Sequence, residues 1–203
     1  VGWSREKIQK TMNRSREPVN FIINDQILNA DVDLELVTTR CANVIGEIKS
    51  GNRKYRDEYV VLGAHFDHVG EGGVGSGSRK PDLLQVHPGA DDNASGTSGL
   101  LEIAQKLAAN KSRLKRSVLL IGFDAEEKGL LGSKYFVNNP TIDLNRIITM
   151  INMDMIGRMK DSSATVGGVG SSPLFEPLID SLGNDRSFNL TVSSQGFGPS
   201  DHA

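Results

Sequence analysis

The sequence contains a single cysteine, Cys41, so no internal disulfide can form. Cys41 lies in the strand-like segment VTTRCANVIG, and we expect its thiol to be buried and unreactive. The net charge of −2 gives no cationic excess for binding nucleic acid or an anionic membrane surface. No apolar run approaches the roughly 18 residues of a membrane-spanning helix. The composition therefore indicates a globular protein that neither binds nucleic acid nor inserts into a membrane.

Apolar β-type runs alternate with amphipathic helical segments along most of the chain. The continuous runs at 59–65 and 117–123 are typical of strands buried on both faces, and 94–111 has apolar residues at helical spacing. The alternation continues with a helix predicted over 130–139, a strand over 146–157, and then strand, helix and strand in TVGGVG, PLFEPLIDSLGN and FNLTVSS. This order predicts an α/β fold with helices on both faces of a mixed, largely parallel central sheet, a three-layer α/β/α sandwich.

Apart from the run at 59–65, the first ninety residues carry weaker signals. WSREKIQKTMNRS predicts a short surface helix, 34–49 predicts one long strand or two, and 69–90, rich in glycine and serine, predicts a long loop. GEGGVG in this loop has the spacing of a dinucleotide-binding turn, but Pro81 follows where a helix should begin. We therefore predict no nucleotide cofactor.

Acidic and histidine residues collect where the predicted strands end. They are His65 and Asp67 after 59–65, Asp91 and Asp92 before the next helix, Glu126 and Glu127 after 117–123, Asp154 near the end of 146–157, and His202. Any one of them has an ordinary explanation, such as a helix N-cap or a hydrogen-bonded core histidine. Because sites in such folds form at the carboxyl ends of the strands, we expect these side chains to converge on one site.

Two histidines and several carboxylates are ligands that suit zinc. The sequence has no HExxH motif, which excludes the helix-borne, single-zinc protease pattern. Since there are more than four candidate ligands, two ions bridged by one carboxylate fit better than one ion. The sequence therefore predicts a two-zinc site.

Five motifs, AHFDH, GADDNASG, FDAEEKGLLGS, INMDMIG and PSDH, occur in this order. With them the chain, from about Ala42 to its last residue, resembles the di-zinc aminopeptidases of the aminopeptidase Y and bacterial leucyl aminopeptidase type. Glutamate carboxypeptidase and glutaminyl cyclase are more distant relatives of that family. The resemblance implies a zinc-peptidase fold and an exopeptidase that removes the N-terminal residue from peptides with a free N-terminus.

The resemblance also implies a role for each site residue. It assigns one zinc to His65, Asp91 and Asp154 and the other to Asp91, Glu127 and His202, and it makes the Asp91–Asp92 peptide bond cis. Asp67 would accept a hydrogen bond from the His65 ring and fix its tautomer. His68 and His87 lie outside this set, and for His68 we expect a structural hydrogen bond.

The charge balance agrees with this set. Two zinc ions carry four positive charges, of which Asp91, Glu127 and Asp154 cancel three. The remaining charge favours a bridging hydroxide, since zinc can lower the pKa of bound water to about 7. Glu126 would be the general base that takes its proton and passes it to the leaving amine.

Two other functions stay open. One is a glutaminyl cyclase-like acyltransferase, which uses one zinc on this fold, and the other is a catalytically inactive binding relative. The complete set of expected ligands favours the peptidase. We expect one catalytic domain over 1–203, shortened at its C-terminus relative to the family, with 1–33 as an extension or the end of an upstream protease-associated domain. By resemblance we expect a secreted or periplasmic protein.

Overall fold

The structure is a computed structural model that describes the chain except for Val1 and residues 21–26, 28, 30, 34–37 and 184–188. The chain divides into two compact units, Val1–Thr39 and Arg40–Ala203. In the first unit, helix α1 (Arg5–Ser15) confirms the predicted helix. Its start is fixed because Ser4 Oγ accepts a hydrogen bond from the Lys7 N–H, as an N-cap residue does.

A four-stranded sheet is the centre of the second unit. Its strands β1 (Val44–Ile48), β2 (Tyr59–His65), β3 (Ser117–Phe123) and β4 (Ile147–Asn152) lie in the order β1-β3-β2-β4. Strands β2, β3 and β4 are parallel, and β1 is antiparallel to β3. The helices are α2 (Gly96–Ala109), α3 (Leu131–Asn138) and α4 (Phe175–Gly183), and β5 (Ser163–Val166) pairs with β6 (Asn189–Val192) in a separate small sheet. The mixed, largely parallel α/β fold is confirmed.

Alternate residues of β2 and β3 build a core on each face of the sheet. Val61 and Ile121 pack in one cluster with Phe136 of α3. Leu62 packs in the other cluster with Leu100 of α2. Since successive strand residues point to opposite faces, α2 and α3 cover opposite sides of the sheet. Each large apolar side chain buried in this way contributes about 1.5–3 kcal/mol to folding.

Some predicted segments differ from the structure. Strand β4 ends at Asn152 rather than 157, and beyond it Met155 has a positive φ of 54°, which a strand does not accommodate. Cys41 is exposed, since it precedes β1 instead of lying within it, so its predicted burial is wrong. Part of the strand predicted over 34–49 falls outside the described residues.

The long glycine-rich loop between β2 and α2 is confirmed, and a short antiparallel bridge between Glu71 and Val86 joins its two arms. Among the described residues, every helix is too short or too polar to cross a membrane.

Candidate metal centre

The parallel strands β2, β3 and β4 bring the predicted site residues together at their carboxyl ends. His65 is the last residue of β2 and is paired in register with Phe123, the last residue of β3. After β3 the chain turns at Ala125, which has a positive φ of 56°, and then presents Glu126 and Glu127. Asp154 follows the end of β4 by two residues. The convergence expected from strand ends is therefore present.

One group of possible metal ligands consists of His65, Asp92 and Asp154. The fully buried His65 places its Nε2 3.4 Å from Asp92 Oδ1 and 3.5 Å from Asp154 Oδ1. Two ligands bound 2.0–2.2 Å from a tetrahedral zinc lie about 3.4 Å apart, which matches both distances. His65 Nε2 and Asp154 Oδ1 are buried and form no hydrogen bond. These atoms fit a shared cation.

A second group consists of His68, Asp92 and Glu127. His68 Nδ1 lies 2.7 Å from Glu127 Oε1 and 3.9 Å from Asp92 Oδ1. His68 Nδ1 and Glu127 Oε1 are both buried atoms without a hydrogen bond of acceptable geometry. Asp92 belongs to both groups, so it can bridge two ions.

The carboxylate common to both groups is therefore Asp92, whereas the family resemblance assigned that place to Asp91. Asp91 is in neither group of described residues; its Oδ1 accepts a hydrogen bond from the Gly157 N–H at 3.0 Å. The cis peptide bond is Asp92–Asn93, so its predicted position at Asp91–Asp92 is wrong.

Asn93 explains the offset of one residue. This buried side chain donates to the Met153 carbonyl and accepts hydrogen bonds from the backbone N–H groups of Gly96 and Met155. It thereby anchors the turn between the start of α2 and the chain beyond β4. The anchored turn places the carboxylate immediately before Asn93 at the centre.

Asp67 binds the backbone that carries both glutamates. Its Oδ1 accepts a hydrogen bond from the Glu126 N–H at 3.0 Å, and its Oδ2 accepts one from the Glu127 N–H at 3.2 Å. The His65 ring contacts the same residue: Nδ1 lies 3.2 Å from the Asp67 backbone oxygen and 3.6 Å from Oδ1. The His65 ring therefore contacts Asp67 chiefly at its backbone carbonyl, and the role of Asp67 in fixing the His65 tautomer stays a prediction.

Comparison with known proteins shows the family. The sequence profile of peptidase family M28 matches residues 43–203. The chain belongs to peptidase family M28. This M28 chain is 32% identical over 163 residues to the probable lipoprotein aminopeptidase LpqL of Mycobacterium tuberculosis, a match that covers 77% of the chain and 29% of that protein. The chain spans 22% to 29% of the length of such curated relatives.

Solved structures agree with the family. The zinc aminopeptidase BSAP of Bacillus subtilis superimposes on 79% of the M28 chain with a TM-score of 0.55 and 30% identity, over 36% of its own length. The glutaminyl cyclase of Porphyromonas gingivalis shares the fold, with a TM-score of 0.56 and 24% identity over 79% of this chain and 57% of its own.

The M28 site is rich in negative charge. Burial by itself lowers the pKa of His65, but contacts with Asp154 and Asp67 outweigh it and raise this pKa to about 11. Burial raises the pKa of Glu126 to about 7, with help from the charges of Asp201 and Asp154 and against that of His65. The pKa of Asp154 is lowered, chiefly by its close contact with His65. A cation would be attracted to this site.

Two residues at the chain end, Asp201 and His202, influence the pKa values of the site. The exposed His202 lies close enough to Asp154 to contribute to lowering that pKa, yet it belongs to neither ligand group of the described residues. The neighbouring Asp201 is 5% exposed, and burial raises its pKa. Sequence reasoning passed over Asp201, and also over the contact of His68 with Glu127. Only the repetition of histidine within AHFDH pointed towards the latter.

Proposed function

We propose that this chain is the catalytic part of a zinc-dependent aminopeptidase that removes the N-terminal residue from peptides. The observation that carries the proposal is that Asp92 joins two ligand groups while Glu126 lies beside one of them. Membership of family M28 supports a peptidase, and the likeness to the Bacillus subtilis enzyme supports zinc. Secretion or a periplasmic location stays a prediction.

His65, Asp92 and Asp154 would hold one zinc ion, and Asp92 and Glu127 would contribute to holding a second. When bound, the ions would lower the pKa of a water molecule and polarise the scissile carbonyl. The three carboxylates of these groups would cancel three of the four positive charges of two zinc ions and leave one. This charge balance is the same as with Asp91 in the place of Asp92. His202, the predicted nitrogen donor to the second ion, lies outside both groups.

Glu126 is the proposed general base. Its Oε2 lies 3.9 Å from His65 Nε2, and its side chain is 11% exposed, so it is next to the first ligand group and shielded from solvent. This position suits a group that accepts a proton from the attacking water and returns it to the leaving amine. The hydrogen bond from its backbone to Asp67 holds the Glu126 main chain in place.

The excess of carboxylates supports cleavage at the N-terminus. Four carboxylates lie with the two histidines of the ligand groups at the carboxyl ends of the strands: Asp92, Glu126, Glu127 and Asp154. Asp201 is near enough to raise the Glu126 pKa. Glu126 and Asp201 lie outside the ligand groups, so the zinc ions would not cancel their charges, and these carboxylates would attract the α-ammonium group that only the first residue of a peptide carries. The class of substrate that fits is therefore a peptide with a free N-terminus.

The proposal is tested by hydrolysis of aminoacyl-nitroanilides with the protein as purified, after chelation, and after zinc is added back. We expect hydrolysis that chelation abolishes and zinc restores. Absence of hydrolysis, or a rate unchanged by zinc removal, would refute the proposal.

Glu126→Gln and Glu127→Gln form a matched pair for the division of roles. Glu126→Gln should keep the metal content of the unaltered protein and lose about 10²–10⁴-fold in rate, the usual contribution of acid–base catalysis. Glu127→Gln should lose one bound ion, measured by mass spectrometry of metals. Equal metal contents in the two variants would contradict the assignment.

Because glutaminyl cyclase shares this fold, one alternative function stays open. A cyclase of this fold would bind one zinc and convert an N-terminal glutamine into a cyclic product with release of ammonia. Two ions per chain together with hydrolysis of nitroanilides favours the peptidase. One ion together with ammonia release from glutaminyl peptides favours the cyclase.

A further inference from the structure

We propose that the amino-terminal end of the central sheet docks on an anionic lipid membrane through a basic patch. The basic patch consists of residues 49–58 and 111–116 together with Arg146. The inference goes beyond the proposed function and does not rest on the metal ions, because the patch lies at the end of β2 opposite His65.

The topology of the sheet brings the segments of the basic patch together. Strands β2, β3 and β4 are parallel and begin in register, and the antiparallel strand β1 ends at the same end of the sheet. Residues 49–58 connect β1 to β2, residues 111–116 precede β3, and Arg146 precedes β4. All three segments therefore lie just outside one end of the sheet.

Side-chain contacts join these segments to one another. The buried Ser50 donates a hydrogen bond from its Oγ to the Leu114 carbonyl at 2.5 Å. Arg116 Nε donates to Glu58 Oε2 at 2.6 Å. The basic patch is therefore one connected surface, and its two longer segments cannot separate without breaking these contacts.

The basic patch has a large local excess of positive charge. It contains nine basic and two acidic residues, an excess of seven positive charges on a chain whose net charge is −2. Its acidic residues, Asp57 and Glu58, are already paired with arginines of the patch. Including Glu47 and Asp143, which adjoin the patch in sequence, still leaves an excess of five. Six of its cations are exposed and form no ion pair with the described residues: Lys49, Arg53, Lys54, Lys111, Arg113 and Lys115.

The carboxylates of the metal centre lie at the other end of the same strands. Strand β2 has seven residues, so its two ends are about 20 Å apart at the usual rise of a strand. The net charge of the sequence thus averages over two ends of opposite sign. An anionic surface attracts the basic patch and repels the carboxylates, so the docked protein would keep its metal centre towards the water.

The contacts of Tyr55 favour lipid over nucleic acid. Tyr55 is the one aromatic residue of the patch, and its ring is already covered by Lys54 Nζ at 4.8 Å and by Arg116 Cζ at 5.1 Å from the centroid. A nucleic-acid base would have to displace these cations to stack on the ring. The helical turn Lys111–Arg113 is too short to enter a groove. Cations spread over several exposed loops suit a plane of anionic headgroups, which needs no inserted segment.

The test is sedimentation of the full chain with two kinds of vesicle, phosphatidylcholine alone and equal parts of phosphatidylcholine and phosphatidylglycerol. We expect binding to the anionic vesicles only, weakened by about tenfold or more between about 0.05 and 0.5 M salt because salt screens exposed charges. Equal binding to both kinds of vesicle, or binding to neither, would overturn the inference. Displacement from the anionic vesicles by duplex DNA at equal phosphate concentration would assign the patch to nucleic acid and also overturn it.

Charge reversal locates the binding surface. The first variant reverses three exposed cations of the patch: Lys111→Glu, Arg113→Glu and Lys115→Glu. Its binding to anionic vesicles should weaken by about tenfold or more, since each basic residue near such a surface contributes several-fold. The matched control makes the same change of net charge at exposed positions of α1: Arg5→Glu, Lys10→Glu and Arg14→Glu. Equal weakening in the two variants would show that net charge alone matters and would refute the assignment to the patch.

A label on the single cysteine tests the orientation without reversing any charge. Cys41 is exposed and lies at the metal-centre end of the sheet, because the next residue, Ala42, donates to Asp124 just after β3. A fluorescent label on Cys41 should stay accessible to a water-soluble quencher when anionic vesicles are added. In the double variant Cys41→Ser, Ser112→Cys the label lies in the patch and should become protected. Equal accessibility of the two labels on vesicles would contradict the proposed docking.

Discussion

The Asp67 carboxylate accepts hydrogen bonds from the backbone N–H groups of Glu126 and of Glu127, at 3.0 and 3.2 Å. One side chain after β2 thus holds the turn after β3 that carries both glutamates. Burial by itself raises the Asp67 pKa, but contact with His65 and these two backbone hydrogen bonds outweigh it and lower the pKa.

Replacing Asp67 by asparagine should loosen this turn. The amide has one oxygen, so an N–H₂ group would face one of the two backbone donors and leave it unsatisfied. We expect a loss of about 1–3 kcal/mol in the free energy of unfolding and a 10–100-fold loss in zinc affinity. Urea unfolding and zinc titration measure the two effects.

Asp143→Asn is the control for that change. Asp143 also accepts two N–H groups, both from Asn145, but it is in neither ligand group. Both of these hydrogen bonds go to Oδ1, which an asparagine keeps, so the variant should retain its stability and its zinc affinity. Equal zinc affinities of the Asp67 and Asp143 variants would contradict a role for Asp67 at the metal site.

Replacing Asp91 and Asp92 separately by asparagine tests which of these two neighbours is the shared ligand. Asp92→Asn removes the carboxylate common to both groups, so bound zinc should fall below one ion per chain. In Asp91→Asn the amide oxygen can still accept the hydrogen bond from Gly157, so both ions should stay. Metal analysis after dialysis decides between them, and the opposite result would restore Asp91 as the bridging ligand.

Two glycines should respond to alanine in opposite directions. A Cβ at Gly96 would fall on the Met153 carbonyl oxygen and on Asn93 Oδ1, the atoms that anchor the Asp92 turn. We expect Gly96→Ala to cost about 1–3 kcal/mol and to weaken zinc binding. Gly46 in β1 has no other atom within 4 Å of such a Cβ, so Gly46→Ala should be neutral or stabilise by up to about 1 kcal/mol. Thermal unfolding compares them, and a tolerated Gly96→Ala would disprove the packing argument.

Alkaline pH should weaken one contact at the start of β2, the end of the strand opposite His65. Tyr59 Oη donates a 2.8 Å hydrogen bond to Glu47 Oε1, and this bond, with burial, raises the Tyr59 pKa above its ordinary value of 10.0. The folded state thus favours the protonated phenol. Its contribution is fully present below pH 10 and is lost as the pH rises through the folded-state pKa.

Tyr59→Phe measures this contribution. At pH 8 we expect the variant to be less stable by about 1 kcal/mol, the usual value of a hydrogen bond in a protein. The difference from the unaltered protein should shrink above pH 10. A difference that grows with pH would show that the sign of the argument is wrong.

The strands of the central sheet were predictable because their signal is strong and local. The runs at 59–65 and 117–123 coincide with β2 and β3, since strands buried on both faces are apolar throughout and end where polar residues begin. The end of β4 was not predictable, because INMDMIG stays apolar at alternate positions after the chain has left the sheet. Met153 shows why: it packs in the core one residue beyond the strand.

The site was predictable as a set of strand ends but not atom by atom. His65, Glu127 and Asp154 lie in the ligand groups as the motifs indicated. The choice between Asp91 and Asp92 depends on the backbone at a turn anchored by Asn93, and two neighbouring aspartates are equivalent in sequence. The place of His68 depends on Gly89 and His87, which reach it from later in the chain.

The bridge between Glu71 and Val86 makes the middle of the glycine-rich loop replaceable. Gly72 donates to the Gln85 carbonyl and His87 donates to the Gly70 carbonyl, so the two arms are joined at their base. Val74 and Leu84, beyond the bridge, are exposed. A peptide tag or a fluorescent label inserted between them would leave His87 in its position. The attachment point should lie after Ser76, whose carbonyl accepts a hydrogen bond from Lys128, the residue that follows Glu127.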